Sequence, residues 1–542
     1  TIMSKENTMY HLILLAKNEQ GRQNLQHLVK ESTQYKFNKR HRIDFSMLEK
    51  YHEGLICLSA CMAGEVSRAL SSGSLDKAVE IATKYKNLFG EDYYIEYQAH
   101  TETEQQKLNE QLVRLATMLD IKYVVTCDAH YLTQEEQKYH SIFVKIGQTR
   151  EVGEIYNDCY IQSEEEVIDK CKSTVAYNEK AIQTTQEIAD KCNVDYPLSA
   201  PIIPHANIPS NFKSERAYLQ YLCNKGFKDK GFADWSYEEW KQYLTQIVYD
   251  EDGVAHEKEI IHFDSVKEIV KMYKDRAKYE INAVVKMGFE GYYLLVHSYI
   301  SSAKRRGIAR GSAGGSLLAF LCGIVDIDPI KYGLYFERFI DVGALDLLKT
   351  NQITKKELKI PDVDADFSPT DRDKVMKFII DTYGEKNVVS LGVFQYIWAK
   401  GAIKDIGRVL EIPFEVTNEM TKLLGDETID EALESGVLDN YKDDYPELFD
   451  YASHLAGLPK SYGVHPCGKV VCMQNADYYN ALEYVADKDA WALQGDMHTA
   501  DDLGLVKIDL LGLRTLDVIY DVLDMIGEDY DFIAPHKINL CD

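Results

Sequence analysis

The stretch Pro361-Asp-Val-Asp-Ala-Asp-Phe367 alternates strictly between acidic and apolar residues. In an extended chain Asp362, Asp364 and Asp366 point to one face, and Val363, Ala365 and Phe367 to the other. Asp is a poor strand former and like charges on one face repel. The apolar face nevertheless predicts a strand packed on a core, so something must offset the repulsion. Divalent cations would do so. The alternative is an exposed edge strand that uses charge against aggregation.

A second stretch, Gly504-Leu-Val-Lys-Ile-Asp-Leu-Leu-Gly512, reads as another core strand. Val506, Ile508 and Leu510 share one face, and Lys507 and Asp509 the other. Alone it fits a salt-bridged strand end. Beside the first strand, Asp509 would complete a three-aspartate cluster able to hold two metals about 4 Å apart. A third signal is the loop from Lys304 to Ser316, KRRGIARGSAGGS, before the apolar run Leu317 to Cys322. Small residues let backbone N–H groups approach a polyphosphate, with Lys304, Arg305, Arg306 and Arg310 supplying charge. The G-K-[ST] ending of a Walker A loop is missing, and a flexible loop beside a solvated basic patch remains the plain alternative.

Working outward, the 542 residues suggest three or four domains. Helical periodicity at 105–119 precedes a buried-strand candidate, Lys122 to Cys127. Pro197, Pro201, Pro204 and Pro209 mark a linker. Helical stretches such as 258–287 open the second region, and 399–460 reads as a mostly helical insert. Lys plus Arg is 61 against 87 for Asp plus Glu, a net charge of −26. That argues against a nonspecific nucleic-acid coat but not against an enzyme with one local basic channel. Eleven cysteines without a C-x-x-C pair predict neither zinc ribbon nor disulfide framework, hence a reducing cytoplasm. No apolar run is long enough to span a bilayer, so no membrane is expected. The first residue is not Met, which reads as a fragment, with Met3 as a candidate start.

The runs ARGSAGGSLLAFLCGIVDIDP, YFERFI, PDVDADF and GLVKIDLLGLRTL occur in an order that resembles the C-family polymerases, the bacterial DNA polymerase III alpha subunits. MGFEGYYLLV (287–296), AKGAIKDIGRVL (399–410) and GVHPCGKVV (463–471) support it. HLILLAKNEQGRQNL (11–25), GLICLSACMAGEV (54–66) and VVTCDAHYL (124–132) resemble the latter part of the family's PHP (polymerase and histidinol phosphatase) domain.

The resemblance implies an α/β multidomain chain. A truncated PHP-type, barrel-like domain at 1–205 would precede a polymerase-beta-like nucleotidyltransferase palm at 206–395. A helical thumb would be inserted at 396–465, with the rest of the palm and the start of the fingers at 466–542. It further implies that Asp364, Asp366 and Asp509 hold two Mg2+ ions, with Asp362 a further candidate. Arg310, Gly311, Ser312, Arg338 and Lys507 would meet the triphosphate. Asp128 and His130 match a D-x-H metal motif, but the family's opening H-x-H strand has no counterpart, leaving at most residual metal binding there. Implied partners are primer-template DNA, deoxynucleoside triphosphates, a sliding clamp and the remaining polymerase domains.

The sequence departs from the family at Gly307-Ile-Ala-Arg-Gly-Ser312, where G-P-G-R-G-S is usual, and at the longer segment Asp341 to Ile360, which lacks the N-P-x-R arginine. The end at INLCD, where the family's fingers would begin, reads as an excised fragment, a split gene product, or an intein or intron boundary, and the divergent segment suits a phage or mobile-element polymerase. Two alternatives stay open: a metal-dependent phosphoesterase or exonuclease acting through the PHP domain, and an inactive half that needs a partner carrying the fingers.

Overall fold

A computed structural model describes residues 2–3, 8–35, 41–147, 158–172, 179–196, 198–249, 255–354, 357 and 359–530. The chain divides into two compact units. The first comprises Thr1–Tyr196, Val393–Gly463 and Ala481–Tyr484; the second comprises Pro197–Gly392, Val464–Asn480 and Val485–Asp542.

The first unit contains a sheet in the order β1 (Ile13–Ala16), β2 (Leu55–Leu58), β3 (Tyr93–Gln98), β4 (Tyr123–Thr126). β1 runs antiparallel to β2, and β2, β3 and β4 are parallel. Every residue of β2 and β3 is buried, as expected when helices cover both faces of a parallel sheet. The Thr103–Met118 helix lays Leu108, Leu112 and Leu115 on this core at the spacing its periodicity predicted. The barrel-like closure expected here is not present among the described residues. Four paired strands are about half the number that closes a small barrel.

The same unit holds the helices Ala399–Val409, Phe414–Leu423, Ile429–Glu434, Asp439–Lys442 and Pro446–Leu455. Ile403, Ile406, Met420, Leu448 and Phe449 form their core, and Ile142 and Ile146 of the Gln137–Gly147 helix complete it. Arg408 donates to the Ile146 carbonyl at 3.0 Å, and Lys138 pairs with Asp450 at 2.8 Å. These helices therefore share a hydrophobic core with residues more than two hundred positions away, a tertiary fact that their own periodicity could not reveal.

The second unit is built on a mixed sheet. Five of its strands run in the order β8 (Ala490–Leu493), β6 (Val388–Tyr396), β7 (Pro459–Val471), β9 (Val506–Gly512), β5 (Ala365–Phe367). β9 is antiparallel to β7 and parallel to β5. The Glu290–Ser301 helix buries Tyr292, Leu295, Val296 and Tyr299 in the core shared by Phe367, Ile508 and Leu510. The helical stretch expected at 258–287 begins later. Residues 245–249 and 255–259 pair as a two-stranded ribbon, and the helix runs Val266–Met287 from the Ser265 N-cap to Gly288 at φ 77°.

The expected strand over 361–367 is paired only at Ala365–Phe367. Just upstream, the Val363 N–H donates to the buried Tyr292 hydroxyl at 3.1 Å instead of to a neighbouring strand. The alternation persists nonetheless: Val363, Ala365 and Phe367 are buried, while Asp362, Asp364 and Asp366 are not. The proline-rich segment also packs closely. Ser199 and Ile202 donate to Asp502 and Gly504 at 3.1 and 2.7 Å, alongside the start of β9.

Candidate active site

The site grows from the parallel pairing of β9 with β5, in register Leu510↔Ala365 and Leu511↔Asp366. Burying the apolar faces of both strands leaves their acidic faces pointing the same way. Asp362, Asp364 and Asp509 each bring a carboxylate oxygen to within 4.8 Å of the others. Asp366 has a different close partner: Arg310 Nη1 lies 3.5 Å from its Oδ1, while Arg310 Nε is 3.8 Å from Asp364 Oδ2. Lys507 Nζ sits 2.9 Å from Asp509 and 3.1 Å from Asp362. Gathering acids at this spacing has electrostatic consequences. Burial first, then the charges of Asp362 and Asp509, raise the pKa of Asp364 against the pull of Arg310 and Lys507. Burial disfavours the Lys507 cation, but its hydrogen bond to Asp509 and the Asp362 charge outweigh this and raise its pKa.

The residues fit a divalent cation. Three hard oxygen donors converge, and Asp509 Oδ1 is buried with no hydrogen-bond donor. A buried, unpaired carboxylate oxygen is unfavourable unless a cation meets it. Beside the trio opens a cleft of about 470 Å³, lined by Pro201, Lys359, Asp362, Met497, Asp501 and Lys507 among others, a size suited to a small ligand.

The glycine-rich loop is tied to the same strands. Gly307 donates to the Asp366 carbonyl at 2.8 Å, and Ser368 to the Arg305 carbonyl at 3.0 Å, so the loop entrance covers the edge of β5. Asp371 fixes that entrance by accepting from the Lys304 and Arg305 N–H groups, both at 2.8 Å. Gly311, at φ 63°, takes the left-handed conformation that favours glycine and lies over Asp364, where a Cβ would stand 3.6 Å from its Oδ2, at ordinary contact distance. Ser312 is exposed beside it. The loop exit is clamped by Glu280, which is fully buried. Its carboxylate accepts from Leu317 N, Leu318 N and Ser316 Oγ at 3.1, 2.9 and 2.9 Å, and pairs with Arg276 Nε at 2.6 Å. Glu280 and Asp371 were missed in the sequence. Each is one acid among many on an amphipathic helix, and only burial marks it. Arg338 lies exposed on the short turn Phe336–Arg338; the ion pairs of the carboxylate cluster among the described residues are with Arg310 and Lys507.

In the first unit Asp128 and His130 do come together, and Cys159 joins them as a third ligand within 4.8 Å. Asp128 takes φ 48°, which turns the chain between the two. Burial first, then the Asp128, Glu102 and Asp158 charges, push the Cys159 thiol up to about 12. It is protonated at neutral pH and would become a thiolate only on binding a cation. Cys159 lies far from the D-x-H motif in sequence, so spacing offered no signal for it. No disulfide joins the ten described cysteines, and among the described residues no helix is long and apolar enough to cross a membrane.

Residues 242–512, half of the chain, match the family described as the bacterial DNA polymerase III alpha NTPase domain, and residues 1–100 match the PHP domain. The chain belongs to the bacterial DNA polymerase III alpha family. The DNA polymerase III subunit alpha of Borreliella burgdorferi is 32% identical over 533 residues, covering 95% of this chain and 42% of that protein. The corresponding subunit of Treponema pallidum is 32% identical, covering 94% and 40%, and that of Aquifex aeolicus is 30% identical, covering 96% and 45%. The chain thus spans less than half the length of these relatives.

Proposed function

We propose that this chain carries the nucleotidyl-transfer centre of a DNA-directed DNA polymerase acting in replication. The observation that carries the reading is the convergence of Asp362, Asp364 and Asp509 beneath a glycine-rich loop, in a member of this family. Asp364, Asp366 and Asp509, with Asp362, would hold two magnesium ions, which when bound activate the primer 3′-hydroxyl and stabilise the pyrophosphate leaving group. The loop N–H groups at Gly311 and Ser312, with Arg310, cradle the triphosphate. Lys507 balances the carboxylates and, with Arg338, meets the nucleotide. Template choice comes from base pairing, and the protein holds the DNA through its backbone.

In this reading residues 1–205 are a PHP-type domain, 206–395 and 466–542 contain the palm and the start of the fingers, and 396–465 are the thumb. Partners are primer-template DNA, deoxynucleoside triphosphates, a sliding clamp and the remaining polymerase domains, in the bacterial cytoplasm. Asp128, His130 and Cys159 serve as an accessory metal site rather than as the centre of a separate phosphoesterase, because the named relatives are polymerase subunits.

The test is magnesium-dependent primer extension by this chain, alone and mixed with a polypeptide supplying the relatives' further length. Extension is expected in at least one arm and is abolished by Asp364→Asn. Undiminished extension by that variant rules the reading out.

A further inference from the structure

Three large aromatic side chains near the end of β6 lie outside the core. Tyr396, Trp398 and Phe414 are 40%, 71% and 65% exposed, although rings of this size contribute most when buried. The Tyr396 and Trp398 ring centroids are 6.2 Å apart, and Trp398 is the N-cap of the Ala399–Val409 helix. One turn apart on that helix stand Lys400 and Lys404, both exposed. Lys404 Nζ lies 5.8 Å from the Phe414 ring centroid.

Among the described residues neither lysine forms an ion pair, whereas nearby Lys460 is held by Asp405 at 2.5 Å. Glu427 acts on Lys400 only from beyond ion-pair distance. In a chain of net charge −26, two neighbouring cations that form no ion pair leave a local surface complementary to an anion. Aromatic rings interleaved with such cations suit an unpaired nucleic-acid strand, because the rings stack on bases of any identity and the ammonium groups neutralise phosphates. A duplex keeps its base faces stacked internally. Protein interfaces use aromatic rings too, but they are depleted in lysine.

We propose that Tyr396, Trp398 and Phe414, with Lys400 and Lys404, form a stacking platform for single-stranded nucleic acid. The platform rests on the polymerase reading only for the presence of such a strand, and it assigns these residues a contact with bases rather than a grip on duplex backbone.

Tryptophan fluorescence of the full chain titrated with a thymidine 16-mer, and anisotropy of an end-labelled 16-mer for the variants lacking Trp398, both without nucleotide or magnesium, test it. Failure of primer extension leaves this measurement unaffected, so the two readings fail separately. Quenching is expected, and Trp398→Ala with Tyr396→Ala should weaken binding by at least about tenfold with an unchanged melting temperature. Lys400→Gln with Lys404→Gln should lower the log–log salt slope by about 1.4. Equal affinity of the aromatic double variant and the parent overturns the proposal. So does a blunt duplex that binds as tightly as the single strand and loses affinity in the same variant. If these rings instead prove necessary for capturing a protein, with oligonucleotide binding unchanged, the proposal is likewise overturned.

Discussion

The backbone N–H of Gly307 donates to the Asp366 carbonyl at 2.8 Å, and a Cβ at position 307 would stand 2.9 Å from the Asp366 Cβ. Glycine therefore sets how closely the loop lies on the acidic strand. Gly307→Ala must push β5 and the loop apart, which is expected to destabilise the chain by about 1–3 kcal/mol. Primer extension should fall by more than this, because Arg310 and Gly311 would lose their alignment with Asp364. Thermal melting and extension kinetics of the variant check both parts. An unchanged melting temperature with full activity contradicts this account of the loop.

Lys507 bridges Asp509 and Asp362, so it occupies the place where a cation would otherwise balance those charges. Removing it as Lys507→Gln frees both carboxylates. Binding of manganese or magnesium, followed by calorimetry, is expected to tighten several-fold, because each pair contributes on the order of 1 kcal/mol when partly exposed. Nucleotide incorporation should drop at the same time. Weaker metal binding in the variant would show that Lys507 supports the cation site instead of competing with it.

Glu280 is the only carboxylate among the described residues that joins the loop exit to Arg276, and it does so fully buried. Glu280→Ala leaves the Arg276 guanidinium without its carboxylate partner, keeping only its hydrogen bond to the Gly315 carbonyl, and two helix N–H groups without an acceptor. The expected loss is about 3–5 kcal/mol, read as a lower urea midpoint. Glu280→Gln keeps an acceptor and should lose less. If the alanine variant melts as the parent does, the clamp is not structural.

The acid limb of the stability curve should report Asp371. Burial works against its charge, but the Lys374 ammonium and the Arg305 and Lys304 N–H groups outweigh it and lower its pKa below the ordinary 3.8. The folded value lies below the unfolded one, so this contribution is complete above the unfolded pKa and disappears as pH falls through the folded value. Asp371→Asn should reduce stability at pH 7 by about 1–2 kcal/mol and lose less on acidification to pH 3. Chemical denaturation at the two pH values measures the difference. Parallel losses in parent and variant would exclude Asp371 as the source.

The sequence by itself determined the two strands of the site. Alternation over Pro361–Phe367 and Gly504–Gly512 assigned each residue to a face, because extended backbone repeats every two residues, and burial in the structure follows that assignment even where strand pairing stops at Ala365. Helical periodicity likewise located the helices between Ala399 and Leu455. Tertiary structure alone decided which carboxylates meet. Parallel pairing of β5 with β9 brings Asp362 beside Asp364 and Asp509, while Asp366 faces Arg310. It also decided that Cys159 joins Asp128 and His130, that Glu280 and Asp371 hold the two ends of the loop, and that Ile142 and Ile146 complete the core of the helices between Ala399 and Leu455. Periodicity is a property of neighbouring residues and is written locally. Strand register, burial of a single acid and closure of a shared core depend on chain segments tens to hundreds of residues apart, so no local pattern records them.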